Sequence, residues 1–201
     1  GAITTIAYVS STVQRIQDAR GALTTNTFNV DQTMKRSQDP QGKITSFTWS
    51  SGRVTRVIDP LLQRTTLSYL TGGGTVQLLK ALHQPLGGRY TYAYDSSNRT
   101  KAVINPLGQR SSVVYNGTGQ VTGQINPLGQ RSTFTYTSQG PVAAVINPLN
   151  QRTTNLYDTV GRVKAIVNPL NQRTSYTYTP YGQVKQVQDA VGRISSFTYD
   201  V

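Results

Sequence analysis

Six arginines occupy one repeated position and could together bind an anionic polymer. If the repeated units stack in register, these arginines form a row with about 10 Å between successive charges, close to the screening length at physiological salt. Such a row could hold nucleic acid, an acidic polysaccharide or an acidic cargo. For any specific polyanion we favour the alternative, a solvated face that keeps the sheet soluble. The six residues are Arg64, Arg89, Arg110, Arg131, Arg152 and Arg173.

The other reactive side chains do not form a pattern typical of catalysis. Acid–base chemistry needs paired carboxylates or a base beside a nucleophile, but the eight acidic residues are all Asp and occupy predicted turns. His83 has no partner His, Cys or Glu nearby, and the chain has no cysteine. Gly72–Thr75 lacks the Lys-Ser/Thr of a phosphate loop and reads as a flexible insertion. We therefore predict no enzymatic activity, no bound metal and no cofactor.

The composition favours strands over helices. The chain has 201 residues, a net charge of +12 and no Glu, and only 36% of its residues are hydrophobic. Thr, Val, Ile and Tyr, which favour strands, are abundant, and no apolar run is long enough to cross a membrane as a helix. We predict no helix longer than two turns. The most plausible exception is Val76–Ala81, beside the Gly72–Gly74 insertion.

A repeat of 21 residues organises the whole chain. Its landmark is the first residue of a segment such as Asn105-Pro-Leu-Gly-Gln-Arg110, and five consecutive steps between landmarks are 21 residues long. The first three steps are 21, 20 and 25, and the longest contains the glycine insertion. The chain is therefore predicted to be a single array, residues 1–201, of about nine and a half units. The landmarks are Asp18, Asp39, Asp59, Gln84, Asn105, Asn126, Asn147, Asn168 and Asp189.

An aromatic residue stands ten positions after every landmark. Such a regular series predicts a stacked row of side chains, buried or half-buried between neighbouring units, because cross-strand aromatic pairs stabilise a sheet. The row comprises Phe28, Trp49, Tyr69, Tyr94, Tyr115, Tyr136, Tyr157, Tyr178 and Tyr199.

Each unit reads as two strands and two turns. The first turn begins at the landmark, where Asn or Asp is in most units followed by Pro, and its fourth position requires a residue that tolerates positive φ. Leu62 breaks this rule, so its turn is either strained or different. A second turn follows the aromatic residue and also has Gly near its end. The fourth positions are Gly21, Gly42, Gly87, Gly108, Gly129, Asn150, Asn171 and Gly192.

The two strands of a unit differ in their patterning. The second strand, Arg173 to Tyr178, alternates cleanly and places Tyr176 and Tyr178 on one face. In the first strand, Val163 and Ile166 are three residues apart, which puts them on opposite faces unless a bulge intervenes. The sequence leaves that choice open.

The repeated unit resembles the YD repeats, also called RHS (rearrangement hotspot) repeats. The segment Tyr157-Asp-Thr-Val-Gly-Arg-Val163 is similar to the Tyr-Asp-x-x-Gly-Arg-Leu of that family, with Val for Leu. Asp39-Pro-Gln-Gly42 matches the Asp-Pro-x-Gly that follows, although most units here have Asn for Asp. The resemblance implies an all-β fold, in which tandem repeats build a long, curved, solenoid-like antiparallel β-ribbon that forms a segment of a hollow shell.

The resemblance also implies a function and partners. In bacterial members such shells often enclose a C-terminal toxin, so the chain is expected to be a structural scaffold, secreted or at a cell surface, and a slice of a longer array. Its partners would be neighbouring repeats of the same chain and an enclosed toxin or cargo. Two alternatives stay open: a carbohydrate- or polyanion-binding adhesin module, and a self-assembling extracellular fibre that associates through open strand edges.

The position of the aromatic residues distinguishes these hypotheses. Buried tyrosine rows favour the wall, whereas a solvent-exposed stripe of Tyr and Arg favours a binding surface. For the polyanion hypothesis we expect weak binding that decreases steeply with salt.

Overall fold

The computed structural model describes residues 4–71 and 77–200, and every regular element in these ranges is a β-strand. The predicted all-β antiparallel repeat fold is therefore confirmed, and these ranges contain no helix that could cross a membrane. The glycine insertion and Val76 lie outside the described residues. A helix was most plausible at Val76–Ala81. The described part of this segment, residues 77–81, instead leads into a strand that begins at Leu79.

The chain divides into two compact units, Gly1–Gln109 and Arg110–Val201. In the first unit, each strand pairs antiparallel with the next strand along the chain. Its strands are β1 (Thr5–Ser10), β2 (Val13–Gln17), β3 (Leu23–Phe28), β4 (Met34–Gln38), β5 (Ile44–Ser50), β6 (Arg53–Ile58), β7 (Arg64–Tyr69), β8 (Leu79–His83), β9 (Arg89–Tyr94) and β10 (Thr100–Ile104).

The second unit repeats the same meander. Each of its strands again pairs antiparallel with its neighbour in sequence, so the hairpin turns alternate between two margins of the sheet. The strands are β11 (Arg110–Tyr115), β12 (Val121–Ile125), β13 (Arg131–Tyr136), β14 (Val142–Ile146), β15 (Arg152–Tyr157), β16 (Val163–Val167), β17 (Arg173–Tyr178), β18 (Val184–Gln188) and β19 (Ile194–Ser196).

The landmark turns and most of the turns that follow the aromatic residues, here called tyrosine turns, share one geometry. The turn after Trp49 differs, because it consists of two residues, Ser51 and Gly52, between the paired Ser50 and Arg53. In a landmark turn, the Asn147 N–H donates to the carbonyl of Gln151, and the Asn150 N–H donates to the carbonyl of Asn147. The Asn147 Oδ1 accepts two further backbone N–H groups. In a tyrosine turn, Asp158 makes the corresponding bonds. The Asn or Asp side chain that begins each of these two turns therefore stabilises it, as expected of Asx residues.

The fourth residue of both turns adopts a left-handed conformation. The eight Gly and Asn positions named from the sequence have φ angles between 59° and 86°. Leu62 also has a φ of 61° and keeps the same backbone hydrogen bonds, so its turn has the ordinary geometry with an unsuitable residue in it. A branched, non-glycine residue in this region costs about 1–2 kcal/mol.

The hairpins closed by tyrosine turns contain a β-bulge, and those closed by landmark turns within each unit do not. In the pairing of β15 with β16, Tyr157 lies opposite Val163, Leu156 lies opposite Ala165, and Lys164 is the extra residue. The bulge places Val163 on the same face as Ile166, which pairs with Asn155. It therefore resolves the odd spacing that the sequence left open.

Apolar burial in this sheet is confined to small side chains, and Asn26 is the buried polar residue among the described residues. Among the described residues, no large side chain is fully buried, and the buried apolar residues are Ala81, Ala102, Ala144 and Ala165. Gly123 is buried at the corresponding position of its repeat. These five residues are spaced by 21, and each directly follows the extra residue of one bulge. The sheet is thus held together along its ladder rather than around a conventional core.

Candidate functional site: tyrosine clamps and basic rows

The bulge creates a backbone acceptor that the next strand cannot reach with its own backbone. Strand β15 pairs with β14 from Arg152 to Thr154, so the ladder ends before the carbonyl of Val142. The hydroxyl of Tyr157 donates to this carbonyl at 2.8 Å, and the Nδ2 group of Asn155 donates to it at 3.2 Å. The aromatic side chain thereby satisfies a carbonyl that would otherwise lose its partner on folding.

We call this bond the tyrosine clamp, and it recurs with the period of the repeat. In each case the acceptor is the residue directly before the extra residue of a bulge, 15 positions earlier in the chain. Trp49 makes the equivalent bond with its indole N–H, which donates to the carbonyl of Met34 at 2.7 Å. The other clamps join Tyr69 to Val54, Tyr94 to Leu79, Tyr136 to Val121, Tyr178 to Val163 and Tyr199 to Val184.

The clamps hold the aromatic residues in a partly desolvated environment. Burial raises the pKa of Tyr94 above its ordinary value, with a smaller contribution from neighbouring Tyr92. Eight of the nine aromatic residues named from the sequence are half-buried, and Tyr199 is exposed. The sequence predicted packing for these side chains. It did not predict the hydrogen bond, because no pattern of residue types marks a backbone carbonyl as unpaired.

The six arginines of the repeated position each begin a strand and are exposed. The Nε group of Arg152 donates to Thr154 Oγ1 at 3.2 Å. The Nε groups of Arg64 and Arg173 likewise donate to the hydroxyl two residues later in their own strands. A Cβ placed on Gly123 would lie 3.0–3.2 Å from the guanidinium of Arg131, so this side chain covers the small residue beside it.

These six arginines have no acidic partner in the described part of the chain. The ion pairs there join Asp95 to Arg99, Asp158 to Arg162 and Asp189 to Arg193, each within one turn. Arg162 also stacks on the ring of Tyr178, with 4.6 Å between the guanidinium carbon and the ring centroid.

A second set of basic residues was missed by the sequence reasoning. In the eight hairpins closed by tyrosine turns after Phe28 to Tyr178, five of the extra bulge residues are exposed lysines, and Lys164 lines one shallow groove together with Arg152, Leu156 and Thr137. The signal was present in the sequence, because several of these lysines are multiples of 21 residues apart. They are Lys35, Lys80, Lys101, Lys164 and Lys185.

The acidic residues form no arrangement suited to catalysis or metal binding among residues 4–71 and 77–200. Seven of the eight accept backbone hydrogen bonds within turns, and Asp200 is exposed beyond β19. The described ranges hold no group of three His, Cys, Asp or Glu residues that could bind a metal ion. His83 is exposed at the end of β8, in register with Thr66 and Arg89.

Comparison with known proteins relates this geometry to one family. Residues 157–194 match the RHS Repeat family. The crystal structure of TcdB2-TccC3 without its hypervariable C-terminal region is similar to this chain with a TM-score of 0.57 and 14% identity. The TcdB2-TccC3-Cdc42 structure gives 0.56 and 16%. Each similarity covers 87% of this chain and 11% of the other chain. No curated protein sequence matches the chain.

Proposed function

We propose that this chain, of which residues 157–194 match the RHS Repeat family, is built throughout of such repeats, also called YD repeats, and forms part of the β-ribbon wall of a shell. The shell encloses a toxin or cargo segment of the same protein, and the protein is secreted or held at a bacterial cell surface. The array itself has no catalytic role. The fold shared with the much longer TcdB2-TccC3 chains supports a wall segment within a larger protein.

The tyrosine clamp is the observation that carries this proposal. Each clamp joins the strand that ends in the aromatic residue to the strand directly before it in the chain, as β15 is joined to β14. The same joint is therefore formed again every 21 residues. A repeat protein gains stability from such nearest-neighbour contacts rather than from one central core. A side chain committed to a joint of this kind is also withdrawn from ligand binding, which favours the wall over an aromatic binding stripe.

The full-length protein that contains this array provides the test. Limited proteolysis of its C-terminal segment would be compared between the native protein and a Tyr136→Ala/Tyr157→Ala/Tyr178→Ala variant. We expect the segment to be protected in the native protein and cleaved in the variant, because the wall opens. The matched control is Tyr181→Ala, which removes an exposed turn tyrosine and should leave protection intact. A C-terminal segment that is cleaved equally fast in the native protein would contradict enclosure.

We propose polyanion binding by the six-arginine row as a second, weaker function. Its support is the exposure of these arginines, their lack of acidic partners in the described ranges, and the groove that Arg152 shares with Lys164. Because the aromatic rings are engaged in clamps, they do not offer a stacking platform for bases. Binding would be electrostatic and would decrease steeply as salt increases.

A heparin titration at low and high salt tests this second function. The Arg131→Ala/Arg152→Ala/Arg173→Ala variant should lose most of its affinity at low salt. The control, Arg99→Ala/Arg162→Ala/Arg193→Ala, has the same net charge but keeps the row. Equal losses in the two variants would show that net charge alone attracts heparin, and tight binding that survives high salt would indicate a specific pocket instead.

A further inference from the structure

The position three residues before each landmark, here called the inner position, changes its residue type along the chain. In the three repeats that come first it is Arg15, Arg36 and Arg56. In the next five repeats it is a buried small residue, namely Ala81, Ala102, Gly123, Ala144 and Ala165. Because the sheet forms with alanine or glycine at this position, its fold does not require an arginine there. The inner arginines therefore serve a purpose other than strand pairing.

An inner arginine and an arginine of the six-arginine row occur together in one repeat. The row position lies eight residues after the inner position, and the first two repeats with an inner arginine have Leu23 and Ile44 there. The later repeats have a small inner residue with the row arginine, or arginine at neither position. Arginine occupies both positions only at Arg56 and Arg64, which we call the arginine pair.

The arginine pair lies on one face of the sheet, where strands β6 and β7 run side by side. Arg56 is directly opposite Thr66, and Ile58 is opposite Arg64. The two arginines are therefore diagonal neighbours whose side chains begin about 7–8 Å apart. The Nε group of Arg64 donates to Thr66 Oγ1 at 3.2 Å. This bond turns the Arg64 side chain along its own strand, towards the residue that faces Arg56.

The arginine pair lacks the groups that normally stabilise two neighbouring cations. Arg56 is half-buried, and its Nε atom is buried without a hydrogen-bond partner in the described part of the chain. None of the ion pairs within residues 4–71 and 77–200 includes Arg56 or Arg64. A buried donor without an acceptor destabilises a fold, and like charges on neighbouring strands repel. An oxyanion held between two guanidinium groups removes both penalties, because arginine offers a fork of N–H donors to such anions.

We propose that the arginine pair binds an oxyanion group, a sulfate or a carboxylate, of an acidic polysaccharide. Arg56 is flanked on its face by Thr48 and Thr66, which lie opposite it in the two neighbouring strands and whose hydroxyl groups suit a sugar. The rings of Trp49 and Tyr69 belong to the other face, because side chains alternate along a strand. The face of the arginine pair therefore offers no stacking platform for nucleobases. The site shares Arg64 with the six-arginine row but needs only one repeat, so it does not depend on binding by the row.

A short ligand tests this site without engaging the whole row. A fully sulfated heparin disaccharide would be titrated into the isotope-labelled chain while the Nε–H resonance of Arg56, identified by its loss in Arg56→Ala, is followed by NMR. We expect this resonance to shift on binding. The Arg56→Ala variant copies the alanine of later repeats and should fold, but it should bind at least about tenfold more weakly. The matched control is Arg89→Ala, which removes the same charge beside the small inner residue Ala81 and should change the affinity less than about twofold.

The possible outcomes separate the arginine pair from the row and from other anions. An unshifted Arg56 resonance, or equal weakening by Arg56→Ala and Arg89→Ala, would overturn the proposal. The Arg131→Ala/Arg152→Ala/Arg173→Ala variant keeps the arginine pair and should bind the disaccharide as the native chain does, whereas a loss there would assign the binding to the row. Inorganic sulfate and a dinucleotide serve as comparison probes. If either binds as tightly as the disaccharide, the site recognises a free anion or a nucleic acid, and the assignment to a polysaccharide fails.

Discussion

The two margins of the sheet use one turn geometry for different purposes. Apart from the two-residue turn after Trp49, the described landmark and tyrosine turns have the same backbone hydrogen bonds and the same left-handed fourth residue. At the tyrosine margin, however, each turn is followed by a bulge and an aromatic clamp, and its tip is mostly polar. At the landmark margin within each unit the ladder is regular, and the tip is proline and leucine in six of the nine turns. The backbone alone therefore does not determine what a margin does.

This difference concerns the cohesion between repeats. The bulge interrupts backbone pairing at the tyrosine margin, and a side chain from the following strand restores the missing hydrogen bond. Cohesion between repeats thus depends on aromatic residues at that margin. The landmark margin needs no such repair, because the backbone pairing there is regular. Substitutions at the two margins should consequently have very different effects on stability.

The largest expected effect comes from removing a whole clamp. Tyr136→Ala loses a half-buried ring and its 2.6 Å hydrogen bond to the carbonyl of Val121, and we expect a cost of about 2–3 kcal/mol in the free energy of unfolding. Leu128→Ala, at the landmark margin of the same repeat, should cost less than about 0.5 kcal/mol, and Arg131→Ala should also cost less than Tyr136→Ala. Urea titration measures all three, and equal losses would contradict the division between the margins.

Removing only the hydroxyl group separates the hydrogen bond from the ring. Tyr136→Phe keeps the packing but leaves the carbonyl of Val121 without this donor, so we expect a loss of about 1 kcal/mol. Tyr181→Phe is the control, because its hydroxyl lies on an exposed turn tip. If Tyr136→Phe is as stable as the native chain, ring packing alone joins the repeats and the clamp is incidental.

A smaller effect, of opposite sign, is expected at the landmark margin. Leu62 has a φ of 61° where other landmark turns have Gly or Asn. Leu62→Gly should therefore stabilise the chain by about 0.5–1 kcal/mol, the left-handed strain less the added freedom of glycine in the unfolded state. The reverse change, Gly108→Leu, should destabilise a regular turn. Thermal unfolding would reveal both shifts, and a destabilising Leu62→Gly would mean that this side chain has a packing role.

The sequence predicted the parts of this fold that depend on local residue preferences. The period of 21, the strand Arg173–Tyr178 and the turns at Asn147 or Asp158 all follow from residue types at fixed spacing. The bulge remained undecided because Val163 and Ile166 are compatible with two registers. The clamp was not predicted at all, since its acceptor is a backbone carbonyl 15 residues away whose freedom depends on where the neighbouring ladder ends.

The smallest expected effect concerns how the two kinds of turn are closed. The Arg99 backbone N–H and its side chain lower the pKa of Asp95 below its ordinary value of 3.8. A group whose pKa is lowered on folding stabilises the fold above its unfolded pKa and loses this contribution as the pH falls through its folded pKa. The Asp95→Asn/Arg99→Gln variant copies the uncharged pair of Asn116 and Gln120.

This variant should therefore match the native chain in stability at neutral pH, because the turn keeps its hydrogen bonds. Below about pH 4, its stability should decrease less steeply than that of the native chain, since one titrating carboxylate has been removed. Chemical unfolding at several pH values would measure both slopes. Identical slopes would show that Asp95 does not contribute to the acid sensitivity of the fold. A large loss at neutral pH would show instead that the ion pair, rather than the shared turn geometry, closes the tyrosine turns.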